Sequence, residues 1–156
     1  MRRMYDPRDI SRFEPSVTSV MLRDWRRHGF LENLGTLMPN GRWAYSPGDV
    51  LRIICARWFE RTAIARDLKQ AFTLADAVAP HVFDYASGED RLGGIRYAVE
   101  IPPSSEMRFA VDIPDFEKLG WTVAVYTVID CKIVAEEIKG SLSELIENFN
   151  AEGKRS

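Results

Sequence analysis

The stretch LRDWRRHGFL, residues 22–31, packs Arg23, Trp25, Arg26 and Arg27 into five positions. A guanidinium is always charged and presents a planar fork of donors that matches phosphate oxygens or the O6/N7 edge of guanine. Three of them beside the hydroxyls of Ser16, Thr18 and Ser19 are suited to holding a polyanion. They are poorly suited to moving a proton at neutral pH. A second polar group, Asn40, Arg42 and Tyr45, follows within twenty residues and supplies the same kinds of donor. Catalytic spacing is missing: there is no P-loop, no GxGxxG after a strand, no HExxH and no GxSxG. His28 and His81 have no partner at metal-binding spacing, and Cys131 is a single thiol, so neither enzyme chemistry nor a cofactor or metal is expected.

The elements that must position these side chains follow from periodicity. Residues 6–13 read as a short helix with Pro7 in its first turn, broken by Glu14-Pro15. Residues 17–28 read as a second helix ending at Gly29. At 100° per residue, Val17, Met21, Leu22 and Trp25 fall on one side of it, while Ser16, Ser19, Arg23, Arg26 and Arg27 fall opposite. Two short helices joined by a tight turn, the second with an arginine-and-serine face, have the layout of a helix-turn-helix. Thr36–Met38 and Arg42–Tyr45 can pair as a hairpin around Pro39-Asn40-Gly41. Ser46-Pro47-Gly48-Asp49 starts a third helix, and residues 63–79 form a fourth that Pro80 ends or kinks.

Beyond the polar, glycine-rich segment SGEDRLGG (87–94), the pattern changes to period two. Ile95, Tyr97, Val99 and Ile101 alternate, as do Phe109, Val111 and Ile113. WTVAVYTVI (121–129) is apolar on both faces, as a central strand would be, and residues 133–149 form a closing helix. The expected organisation is a DNA-binding domain over 1–86, a linker over 87–94, and a small three-stranded α+β domain over 95–156. Charge divides along similar lines. Residues 1–69 hold 13 Lys and Arg against 8 Asp and Glu, a net +5, while residues 70–156 hold 8 against 15, a net −7. Twelve of those 13 cations are arginine, so an overall charge of −2 does not argue against nucleic-acid binding.

The sequence also resembles a known family. Ser16-Val17-Thr18-x-x-Met21-Leu22-Arg23 matches the MerR-type pattern G-V-S-x-x-T-L-R, and Asp24 to Leu31 continues it as R-x-[YW]-x-R-x-G-L-L. Gly41-Arg42-Trp43-Ala44-Tyr45-Ser46, followed by Asp49-Val50-Leu51, is similar to that family's wing and following helix. The resemblance covers residues 6–80, about half the chain. It implies an α+β protein with an N-terminal MerR-like winged helix-turn-helix, in which Thr18, Arg23 and Trp25 contact DNA from the recognition helix and Tyr45 from the wing. Arg26 and Arg27 add to this on electrostatic grounds. The chain departs from the family in three places. Ser16 replaces the turn glycine. The wing arginine of the family falls on Trp43, with Arg42 one place earlier, so either the wing register differs or Trp43 packs inward and Arg42 reaches phosphate by another route. No sustained heptad follows Ala86, so the family's dimerisation helix is not carried over.

The function expected is sequence-specific binding of double-stranded DNA as a transcriptional regulator. The alternatives are an architectural DNA protein, as in excisionases or phage packaging subunits, or an interaction module whose residues 95–156 bind a protein partner or a second copy of the chain. No run of about 18 apolar residues is present, so no membrane partner is expected. The first residues, MRRMYDPRDI, lack the apolar stretch of a secretory signal, and two isolated cysteines suit a reducing compartment; a cytoplasmic location is expected.

Overall fold

A computed structural model describes residues 3–101, 106–113, 115 and 126–155. The chain is α+β, with five helices and two small sheets among the described residues. It divides into two compact units, residues 1–79 with 138–156, and residues 80–137. This division is not the one expected from composition. The second half of the last helix belongs with the N-terminal elements: Leu142 and Leu145 are buried, and its polar side chains bond to Tyr5, Arg12 and Glu14.

In the first unit, α1 (Pro7–Phe13) is capped by Asp6, whose carboxylate accepts the Asp9 amide at 2.9 Å while the Asp9 carboxylate accepts the Asp6 amide at 3.0 Å. Helix α2 (Ser19–Arg27) begins two residues later than expected, because Thr18 is its N-cap and accepts the Met21 amide at 3.1 Å. It ends in a Schellman motif: Phe30 N–H reaches the Trp25 carbonyl at 2.9 Å, and Gly29 N–H the Arg26 carbonyl at 3.2 Å. Gly29 makes this possible with φ +84°, a backbone state costly for residues with a Cβ. Strands β1 (Thr36–Leu37) and β2 (Trp43–Ala44) pair antiparallel, Thr36 opposite Ala44 and Leu37 opposite Trp43. Just beyond β2, Tyr45 exchanges two main-chain hydrogen bonds with Tyr5, at 2.8 and 2.7 Å, which ties the hairpin to the chain entering α1.

Helix α3 (Pro47–Arg61) starts with the expected capping box, Ser46 Oγ accepting from Asp49 N at 3.1 Å. The Asp49 carboxylate also accepts the amides of Ser46 and Gly35, both at 3.1 Å, so one side chain caps the helix and holds the start of the hairpin. Ile10, Val17, Leu22, Leu31, Val50, Ile53, Ile54 and Phe59 are buried in this unit. At roughly 1.5–3 kcal/mol for each fully buried large apolar side chain, this cluster supplies most of the driving force for positioning the three helices.

Helix α4 (Leu68–Ser87) starts later than the expected 63 and runs through Pro80, which does not end it. Burial of Leu74, Ala75, Val78, Ala79 and Val82 along the helix offsets the roughly 3 kcal/mol that an internal proline costs.

Helix α5 (Cys131–Arg155) is longer than expected. Its second half docks through Arg12, which binds Glu144 with two hydrogen bonds of 3.2 and 2.8 Å, and through Asn148, which donates to the Tyr5 hydroxyl at 3.1 Å. The hydrogen bonds from Arg12 hold the Glu144 carboxyl below its usual value.

In the second unit, β3 (Tyr97–Ile101) lies between β4 (Glu106–Ala110) and β5 (Thr127–Asp130), all antiparallel. The strand expected over 121–129 is therefore seen only from Thr127 onward, at an edge of the described sheet rather than its centre; residues 121–125 lie outside the described residues. Segment 87–94, expected to be a linker, is fastened down. The buried Asp84 carboxylate accepts the amides of Arg91 and Leu92 at 3.1 and 3.3 Å, and Tyr85 donates to the Gly94 carbonyl at 3.0 Å. Asp130 accepts amides of Lys132 and Ile133 at the start of α5 and pairs with Arg96 at 2.8 Å. Partial burial pushes the Asp130 carboxyl up, but the Arg96 and amide hydrogen bonds outweigh it and leave it below its usual value.

Candidate nucleic-acid interface

The start of α1, the outer side of α2 and the hairpin bound a groove of about 500 Å3 in the first unit. Its lining holds five arginines, Arg8, Arg23, Arg26, Arg27 and Arg42, against a single acid, Asp6. That acid is already engaged in capping α1. Arg8, Ser19, Arg23, Arg27 and Arg42 are exposed. Arg27 makes an ion pair with Asp24 at 3.0 Å, an exposed pair of the kind worth at most about 1 kcal/mol and easily exchanged for another anion. Arg8, Arg23 and Arg42 make no ion pair among the described residues, so their charge is unspent.

Arg26 behaves differently from its neighbours. Its Nη1 donates to the Leu31 carbonyl, and its Nη2 donates to the Leu34 carbonyl at 2.7 Å and the Tyr45 hydroxyl at 3.1 Å. The guanidinium also stacks 3.6 Å above the centre of the Trp43 ring. Arg26 was expected to face a groove ligand with its charge. Instead it is spent tying the end of α2 to the following loop and to the hairpin, through the Leu31 and Leu34 carbonyls and the Tyr45 hydroxyl. Gly35 is shaped around it: a Cβ at this position would lie 2.7 Å from Nη2 of Arg26 and 2.9 Å from the Tyr45 ring, and its φ is +84°.

Several other expected contacts are occupied inside the protein. Trp25 is 6 % exposed and packs edge-to-face on Phe72 at 5.4 Å, so it is a core aromatic and not a groove residue. Tyr45 is 2 % exposed and reaches only the groove floor, its hydroxyl taken by Arg26. Thr18 Oγ1 accepts the Met21 amide as the cap of α2, while the residue stays exposed. Ser16 donates to Glu14 at 2.7 Å and accepts from Arg57 and Arg61, both at 3.2 Å. It anchors the turn between α1 and α2. Glu14 also accepts from Ser141 at 2.7 Å. Its partial burial raises the carboxyl's pKa, but the hydrogen bonds of Ser16 and Ser141 and the charge of Arg61 bring it below the usual range. Asn40 shapes the hairpin turn, its side-chain Oδ1 accepting the Arg42 amide at 3.0 Å, and remains exposed.

The hairpin register answers the question raised by Arg42 and Trp43. Alternation along β2 places Trp43 and Tyr45 on the side facing Arg26, which stacks on the one and bonds the other. Trp43 packs inward; Arg42 stays exposed at the groove. Arg8 was not anticipated. Its signal in the sequence is only a cation in the first turn of a short helix, and its approach to α2 exists only in the folded chain. Elsewhere, burial pushes the Cys131 thiol up to about 12, with the nearby Asp130 charge adding to it, so it is a neutral thiol at physiological pH. Among the described residues no cluster of three or more His, Cys, Asp or Glu could hold a metal ion. No helix among them is long and apolar enough to cross a membrane.

Compared with known proteins, the chain matches no protein-family model, and no curated protein matches it either.

Proposed function

We propose that the chain is a sequence-specific, double-stranded DNA-binding transcriptional regulator. In this reading α1 and α2 form a MerR-like helix-turn-helix and β1–β2 its wing. The observation that supports it is the convergence of Arg8, Arg23, Arg27 and Arg42, from three separate elements, on one groove with a single, already engaged acid. Cations so placed displace condensed counterions from a duplex, and α2 is the element of a size to enter a major groove. The contact set is Arg8, Ser19, Arg23, Arg27, Asn40 and Arg42; Arg26, Trp25 and Tyr45 shape the surface from behind. Fluorescence anisotropy on duplex DNA across a salt series tests this. The triple variant Arg23→Ala, Arg27→Ala, Arg42→Ala should reduce the slope of log K against log salt by roughly 2.7, at about 0.9 per phosphate contact. An undiminished affinity and slope in that variant would sink the proposal.

A second reading, an architectural DNA protein, is favoured by α5. Its second half is bonded to α1 through Arg12–Glu144 and to the residue before α1's cap through Tyr5–Asn148, and so is engaged within its own unit. Bending of a short duplex without any effect on transcription from it would select this reading.

A further inference from the structure

We infer that Val20 reads the 5-methyl group of a thymine in the major groove; the inference rests on the DNA-binding reading above. Val20 is 56 % exposed, the second residue of a helix whose inward side is marked by the buried Leu22 and Trp25. At 100° per residue, Val20 and Arg27 point directly away from those two residues. Arg23 flanks them on one side and Asp24, held by Arg27, on the other. The most outward position near the start of α2 is thus an apolar, β-branched side chain between Arg23 on one flank and the Arg27–Asp24 ion pair on the other. Its χ1 is restricted to essentially one rotamer in a helix, so it presents a fixed knob rather than a mobile chain. Helix propensity does not call for it, since alanine or lysine would serve an exposed position better.

The surrounding arginines select an anionic partner, and the apolar knob needs an apolar group on it. In a major groove the thymine methyl is that group; the other base edges there present donors and acceptors. Duplex RNA lacks the methyl, and its major groove is too deep and narrow for a helix, so the partner is DNA.

The test starts with selection of preferred sites from randomised duplexes by the full chain. Each thymine of the selected site is then replaced singly by deoxyuridine, which removes only the methyl group. One position should weaken binding of the wild-type chain about three- to five-fold, the loss expected for one buried methyl-sized group. The Val20→Ala variant should show no loss there, while Arg23→Ala should keep it. Val20 is more than half exposed, so its truncation opens no core cavity, and unchanged circular dichroism and melting would verify that the variant folds. If the wild-type chain binds duplex DNA but no thymine methyl matters, or if Val20→Ala keeps the wild-type sensitivity, this inference falls and the DNA-binding reading stands. If the wild-type chain binds no duplex, both fall.

Discussion

Replacing Arg26 with alanine removes hydrogen bonds to the carbonyls of Leu31 and Leu34 and to the Tyr45 hydroxyl, together with the stacking on Trp43. Hydrogen bonds from a charged donor contribute about 1.5–3 kcal/mol each, and a partly desolvated cation–π contact about 0.5–2 kcal/mol. Two terms oppose these. Water can enter the space left and bond the freed carbonyls, and the folded chain no longer desolvates a guanidinium that has no carboxylate partner among the described residues and keeps a buried Nε without an acceptor. The net loss expected is about 3 kcal/mol. With an m-value near 2 kcal/mol/M, the urea midpoint falls by about 1.5 M. Arg23→Ala is the control. That side chain is exposed and makes no ion pair among the described residues, so its loss should change stability by less than about 0.5 kcal/mol. DNA titrations should reverse the order of effects on salt dependence. Arg23→Ala lowers the slope by about 0.9, whereas Arg26→Ala leaves the slope in place and weakens binding uniformly by loosening the hairpin. Equal urea midpoints for Arg26→Ala and the wild type would refute the division of labour between these two arginines. So would a slope that responds to Arg26 and not to Arg23.

Gly35→Ala should destabilise the first unit by about 2–3 kcal/mol in the same urea titration. It combines a left-handed backbone, itself costing about 1–2 kcal/mol, with contact against Arg26 and the Tyr45 ring. Gly29→Ala meets open space and should cost only the backbone term, so equal losses at the two positions would contradict the packing argument. Glu14 has a folded pKa below its unfolded value, so its contribution is fully present above pH 4.5 and fades as pH falls through the folded value. Glu14→Gln should accordingly flatten the acid limb of stability against pH, measured by thermal melts between pH 3 and 7; an unchanged limb would show that the turn network does not hold a charge.

Some of this was legible in the residues because the interactions concerned are local. The capping box of Ser46 and Asp49 spans three residues and needs nothing from the rest of the chain. The helical wheel put Leu22 and Trp25 on the buried side of α2, and both are there. For Trp25 the wheel was a better guide than the family resemblance, which assigned it to DNA, since burial of an indole against Phe72 outweighs any surface role. Thr18 shows the same priority of local contacts at the start of α2. A hydroxyl three residues before an unpaired amide closes on that amide first.

The sequence by itself determined that five helices form and roughly where, the Ser46–Asp49 capping box, the hairpin turn at Asn40-Gly41, and the charge divided between the two halves. These depend on neighbours a few positions away, where chain connectivity already sets the distances. Tertiary structure alone decided which arginines remain available. Arg26 and Arg27 are adjacent and chemically identical, yet one finds the carbonyls of Leu31 and Leu34 and the Trp43 ring while the other finds only an exposed Asp24. It also decided that Tyr5 fixes the hairpin register through Tyr45, that Arg8 joins the groove, and that the end of α5 returns to α1. Each of these pairs elements far apart in the chain, and a side chain's choice between solvent and an internal acceptor is made only where folding brings that acceptor.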